Sequence, residues 1–125
     1  MARIAIHCGD VHIQAELNDS PCAGKILEAL PIAARANTWG DEIYFDIGVS
    51  VKLTPAAREL MDVGEIAYWP PGKAMCLFLG PTPVSESDGR PRAASPVVPI
   101  GRIVGEAGAL RSVQDGDPIS ITMPS

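Results

Sequence analysis

The chain has 125 residues and a mass of 13.2 kDa, which matches one ordinary domain, so we expect a single domain spanning residues 1–125. Its content of 46% hydrophobic and 20% charged residues is typical of a soluble globular protein and argues against a disordered chain. The 10 basic and 15 acidic residues give a formal net charge of −5, the wrong sign for a general nucleic-acid-binding surface.

The lack of a recognisable targeting signal and the spacing of the cysteines both bear on the cellular compartment. No apolar run approaches the roughly 20 residues that cross a bilayer, and the opening MARIAIHCGD lacks the long apolar stretch of a secretory signal. Cys8, Cys22 and Cys76 form an odd set without CxxC spacing, which favours a reducing compartment over a disulfide framework. We therefore expect a cytoplasmic protein with no membrane partner.

The first two elements are predicted to form a β-hairpin. In RIAIHC and VHIQAEL, apolar and polar residues alternate, which is typical of half-buried strands. If Gly9–Asp10 is the whole turn, Ile6 faces Ile13 and Arg3 faces Glu16.

The same register places His7 opposite His12 on the polar face. Two imidazoles could bind a metal only if a third ligand approached, and a pair of solvated histidines is the favoured interpretation. We therefore predict no metal site.

Two stretches carry signals for helix formation. In SPCAGKILEALP, Ser20 is a candidate N-cap, Pro21 suits the first helical position, and Pro31 is predicted to end the helix. Its apolar residues recur at helical spacing, at Ala23, Ile26, Leu27 and Leu30. TPAAREL resembles a shorter copy, in which Thr54–Pro55 would open about two helical turns.

The segment NTWGDEIYFDIGVSVKL is predicted to be strand material, with Ile43, Phe45 and Ile47 on one face. The other face carries Glu42, Tyr44 and Asp46. Two carboxylates flanking a tyrosine could do acid-base chemistry, but a solvated strand face would have the same composition.

GEIAYW and KAMCLFLG are predicted to be two strands joined by Pro70–Gly72. Proline at position i+1 and glycine at i+2 favour a type II turn, with positive φ at Gly72. Because this turn type is not the preferred hairpin connection, we expect a wider loop or a bulge around Trp69.

The remainder of the chain begins with a polar stretch at residues 82–96, which contains Arg90 and Arg92 and is predicted to be an exposed loop. VVPIGRIVG then indicates a strand, EAGALRSVQ a weak helix or turn, and DGDPISITMP a turn followed by a strand. Seven or eight strands with few helices favour an all-β fold with capping helices, in which barrel closure removes exposed strand edges.

The order of these elements resembles the cyclophilin fold, whose members carry a strand similar to VVPIGRIVGEAG before a short helix. NTWGDEIYF and YWPPGKAMCLFLGPTP are more narrowly similar to a small prokaryotic cyclophilin-like family of unassigned function, over nearly the whole chain. The resemblance implies a closed eight-stranded antiparallel barrel with helices at its ends.

Cyclophilins accelerate the cis/trans isomerisation of X-Pro bonds by seating the proline in an apolar pocket, while an arginine bonds to the twisting amide. The matching segment here, NTWGDEIYFDI, contains no arginine. Cys76 stands about where the family has a glutamine, and Phe78 would keep an apolar pocket wall. Arg35, Arg90 or Arg92 would have to reach in from a loop to replace the missing group.

We consider three functions of different classes. The first is a binding module without isomerase activity, whose aromatic cleft takes a small molecule or a peptide, including a proline-containing one. The second is a divergent peptidyl-prolyl isomerase that uses a loop arginine. The third is an enzyme of other chemistry that uses Glu42 and Cys76. The predicted ligand-binding residues are Trp39, Glu42, Tyr44, Trp69, Cys76 and Phe78.

Other classes lack motif support. Phosphate-binding-loop, dinucleotide-fold, zinc-protease and serine-hydrolase signatures are absent from the sequence, so we expect no cofactor. Exposed apolar side chains on a barrel could support a homodimer.

Overall fold

A computed structural model describes residues 2–124. Its strands are β1 (Ala2–Cys8), β2 (Val11–Leu17), β3 (Ile32–Arg35), β4 (Asn37–Trp39), β5 (Glu42–Asp46), β6 (Arg58–Leu60), β7 (Glu65–Trp69), β8 (Ala74–Phe78), β9 (Arg92–Val104) and β10 (Pro118–Thr122). One α-helix, α1, spans Pro21–Ala29, and short 3-10 helices span Pro70–Gly72 and Ala107–Ser112. In the described part of the chain, no helix is long and apolar enough to cross a membrane.

The strands form one antiparallel ten-stranded sheet in the order β3-β10-β1-β2-β9-β7-β8-β5-β4, with β6 paired to β9 beside this path. The predicted antiparallel, mostly β architecture is confirmed, although the sheet has ten strands rather than eight. The end strands β3 and β4 are separated only by Ala36, and they pair with β10 and β5 respectively. The two ends of the sheet are therefore connected through the chain at Ala36 and not by hydrogen bonds between β3 and β4. A barrel closed by hydrogen bonds is not confirmed.

The first hairpin has the predicted register. Ile6 pairs with Ile13, and Arg3 pairs with Glu16, whose carboxylate lies 3.8 Å from the guanidinium. Helix α1 also follows the prediction, because Ser20 Oγ accepts the backbone N–H of Ala23 at 3.2 Å and caps the helix.

The predicted helix at Thr54–Pro55 is wrong. Thr54 Oγ1 accepts from the backbone N–H of Ala56, and the Thr54 carbonyl accepts from that of Ala57, so the cap closes a single turn. The chain then extends into β6, where Arg58 pairs with Val97 of β9. Pairing with β9 therefore overrides the local helix signal.

The apolar residues form two clusters on opposite faces of the strands β5, β7 and β8. The main core contains Ile43, Phe45, Ile66, Tyr68, Met75 and Leu77 from these strands, together with residues of β1, β2, α1, β9 and β10. A smaller outer cluster contains Met61, Ala67, Cys76, Phe78, Ala93 and Val97. The prediction that Ile43, Phe45 and Ile47 share one face is confirmed, because all three are buried in the main core.

Candidate functional site

Strand pairing brings most of the predicted site residues to the outer face of the sheet. Glu42 pairs with Trp39 on β4 and with Phe78 on β8, while Tyr44 pairs with Cys76. Because opposite residues of antiparallel strands project from the same face, these side chains all point away from the main core. The alternation of residues along β5 and β8 therefore determines which side chains face the site.

A cavity of about 210 Å³ opens on this face. Its lining residues come from β4, β5, β7, β8 and the first half of β9: Trp39, Glu42, Tyr44, Trp69, Cys76, Ala93, Ala94 and Val97. Five of the six predicted residues thus lie together. Phe78 is the exception, since it is fully buried in the outer cluster and does not line the cavity.

Trp69 is held in position by contacts on two sides. Its indole N–H donates to Ser95 Oγ at 2.7 Å, and its ring meets that of Tyr44 edge to face, with centroids 6.4 Å apart. A Cβ on Gly72 would lie 2.9 Å from two atoms of the indole ring. The Pro-Pro-Gly segment therefore packs against the tryptophan that forms one cavity wall.

The connection between β7 and β8 is a wider loop, as expected, because Trp69 pairs with Ala74 and residues 70–73 lie between them. Its conformation differs from the predicted type II turn. Pro70–Gly72 is a 3-10 helix, and the positive φ falls on Lys73, at 47°, rather than on Gly72. Glycine is required at position 72 because a side chain would displace Trp69, a packing reason that turn chemistry does not reveal.

Glu42 is the buried polar group of the cavity. Only 6% of the residue is exposed, and its Oε1 atom has no hydrogen-bond partner in residues 2–124. Desolvation raises the pKa of this carboxyl from 4.5 to about 7, although a hydrogen bond from the Cys76 thiol opposes the rise. The interpretation as a solvated strand face is therefore wrong for Glu42, whereas Asp46 at the other end of β5 is exposed and accepts from the Gly48 N–H.

Cys76 is poorly suited to act as a nucleophile. It is 1% exposed, and desolvation, followed by the charge and hydrogen bond of Glu42, raises the pKa of its thiol well above the ordinary value. A nucleophilic cysteine needs the opposite shift, because the thiolate is the reactive form.

We therefore expect Cys76 to react with iodoacetamide at neutral pH no faster than Cys8 or Cys22, which are also buried. Mass spectrometry of peptides from the folded protein measures the three rates separately. Selective labelling of Cys76 would contradict this prediction and would support a thiol-based enzyme.

The three arginines considered as replacements for the isomerase arginine interact with groups that do not line the cavity. Arg35 donates to the Gly116 carbonyl at 2.9 Å, Arg90 pairs with Asp62 at 2.9 Å, and Arg92 lies 3.4 Å from Glu59 and 3.5 Å from Glu86. No arginine is among the residues that line the cavity.

The sequence reading missed the contribution of β9. Residues 82–96 were predicted to be a loop, but β9 begins at Arg92, and Ala93, Ala94 and Val97 complete the cavity. Prolines at 91, 96 and 99 obscure the strand. The sequence carries no alternation at this point, because Ala93 and Ala94 are the same residue type although the first is buried and the second exposed.

The histidine pair lies elsewhere. His7 and His12 face each other as predicted, with their Nδ1 atoms 2.5 Å apart. Within residues 2–124, no group of three or more His, Cys, Asp or Glu side chains could hold a metal ion.

Comparison with known proteins agrees with this architecture. The family model described as cyclophilin-like matches residues 2–122. The solution structure of a hypothetical protein from Archaeoglobus fulgidus is similar with a TM-score of 0.83 and 40% sequence identity, covering 98% of this chain and 95% of that one. No curated protein matches the chain at a significant level. The chain belongs to the cyclophilin-like family.

Proposed function

We propose that this protein binds a small molecule, or one side chain of a peptide, in the aromatic cavity on the outer face of the sheet. The observation that carries the proposal is the arrangement of two tryptophans and a tyrosine around a buried carboxyl group that has an unpartnered oxygen. Apolar walls with few polar groups are typical of ligand pockets, because the walls supply affinity and the polar group fixes orientation.

The same arrangement argues against prolyl isomerisation. The cavity lining contains no guanidinium that could bond to a twisting amide, and it presents a carboxyl group instead. We therefore expect no acceleration of cis/trans exchange in a proline peptide, measured by a protease-coupled assay. A catalysed rate would favour the divergent isomerase.

Both tryptophans of the chain line the cavity, so intrinsic fluorescence reports its occupancy directly. We expect a fragment set of neutral aromatics, prolyl amides and organic cations to contain compounds that shift this emission. Ala94→Phe should weaken their binding tenfold or more, because Ala94 is an exposed lining residue and the added ring would fill the space.

Ala33→Phe is the matched control. It makes the same change at an exposed position of β3 that does not line the cavity, and it should leave binding unchanged. Binding that survives Ala94→Phe, or a fragment set that leaves the emission unaltered, would contradict the proposal.

A further inference from the structure

The cavity carries a specific electrostatic signature. The only ionisable side chains in its lining are those of Glu42, Tyr44 and Cys76, so no lysine, arginine or histidine neutralises the carboxyl group. The oxygen of Glu42 that lacks a partner is itself buried, and a buried acceptor of this kind lowers stability until water or a ligand supplies a donor or a positive charge.

The walls complement such a ligand. Trp39 of β4, Tyr44 of β5 and Trp69 of β7 line the same cavity as the carboxyl group. The faces of aromatic rings attract cations through their quadrupoles. Ser95 occupies the Trp69 N–H, so the indole presents its ring rather than a free donor. Three rings and one carboxylate are the components with which proteins hold quaternary and methylated ammonium groups.

We propose that the cavity binds the head group of a small organic ammonium compound, with the Glu42 carboxylate neutralising its charge and the three aromatic rings enclosing its carbon atoms. This inference rests on the proposed function, because it names the ligand class of the same cavity.

Other ligand classes fit the cavity less well. An anion would meet the buried carboxyl group without any compensating cation in the lining. A metal ion would find only Glu42 and a protonated thiol, and the described residues provide no set of three ligands. The net charge of −5 over the whole chain would also attract a cation from solution.

Binding should depend on pH. Since burial raises the pKa of Glu42 to about 7, the carboxyl group is largely protonated below this pH and must lose its proton to neutralise a cation. The association constant of a permanently charged ligand should therefore rise about tenfold per pH unit below the pKa, and level off above it. Cys76 from β8 and Tyr44 from β5 are the other titratable groups in the lining, and β4, β7 and β9 contribute none.

The experiment compares choline with its uncharged isostere 3,3-dimethylbutan-1-ol, by tryptophan fluorescence and isothermal titration near pH 8. We expect choline to bind tenfold or more tightly than the alcohol. Glu42→Gln should remove this preference, while Glu28→Gln, which neutralises an exposed carboxylate on α1, should retain it.

The same titrations include indole and N-acetylproline amide as neutral probes of the cavity. If these or the alcohol bind as tightly as choline, or if Glu42→Gln leaves the choline affinity unchanged, the ammonium proposal is wrong while the binding function stands. If no probe alters the emission of either tryptophan, both proposals fall.

Discussion

Gly101→Ala is expected to lower the free energy of unfolding by about 4 kcal/mol or more, or to prevent folding. A Cβ at this position would lie 2.0 Å from the backbone oxygen of Glu16 and 3.0 Å from Leu17 Cα. Gly101 pairs with Leu17, and the backbones of β9 and β2 approach each other here more closely than a side chain would permit. The backbone of β2 cannot withdraw, because its other edge is paired with β1 along the whole strand.

The matched control is Gly24→Ala, which makes the same chemical change inside α1, where an added Cβ would meet no atom within 4 Å. This variant should gain about 0.5–1 kcal/mol, because alanine loses less conformational entropy than glycine in a helix. Urea unfolding followed by circular dichroism measures both effects. A Gly101→Ala protein within about 1 kcal/mol of the parent would show that β2 and β9 separate more easily than their pairing indicates.

Glu42→Gln is expected to change how stability depends on pH. The carboxyl has a pKa of about 7 in the folded protein against 4.5 as its ordinary value, so between these values the folded state keeps a proton that the unfolded state has released. Stability must therefore fall as pH rises through this window. Between about pH 4 and pH 8, the full shift should lower the free energy of unfolding of the parent by about 3 kcal/mol relative to that of the glutamine variant.

Urea unfolding of parent and variant at both pH values measures this difference, with Glu28→Gln as the control for loss of an acidic side chain. Comparing the variants at two pH values separates the ionisation cost of Glu42 from the packing effect of the amide, which is present at both. Parallel stability curves for the parent and Glu42→Gln would contradict the burial of the carboxyl group. The Glu42→Gln titration with choline would then lose its physical basis as well.

These two predictions concern features of different kinds. Gly101 is a packing requirement that the strand sequence VVPIGRIVG does not disclose, because the close approach involves β2, more than eighty residues earlier in the chain. Glu42 does lie on a recognisable alternating strand, but its burial depends on β4, β8 and β9 together. In both cases the deciding contacts join residues that are distant in sequence.

Local sequence patterns determined the elements whose stabilising contacts are also local. The hairpin register between Arg3 and Glu16 follows from alternation and a two-residue turn, and α1 follows from its cap and its apolar spacing. Alternation also placed Glu42, Tyr44, Cys76 and Phe78 on one face, and the motifs NTWGDEIYF and YWPPGKAMCLFLGPTP pointed to the family.

Tertiary structure alone decided the rest. Pairing with β9 made residues 58–60 a strand against a helix signal, and the same strand supplied Ala93, Ala94 and Val97 to the cavity from a region that resembled a loop. The packing of the strands also buries Glu42 and places Phe78 in the outer cluster rather than in the cavity wall. The physical reason is that burial, desolvation and steric closeness belong to pairs of strands, whereas a single strand specifies only which of its side chains share a face.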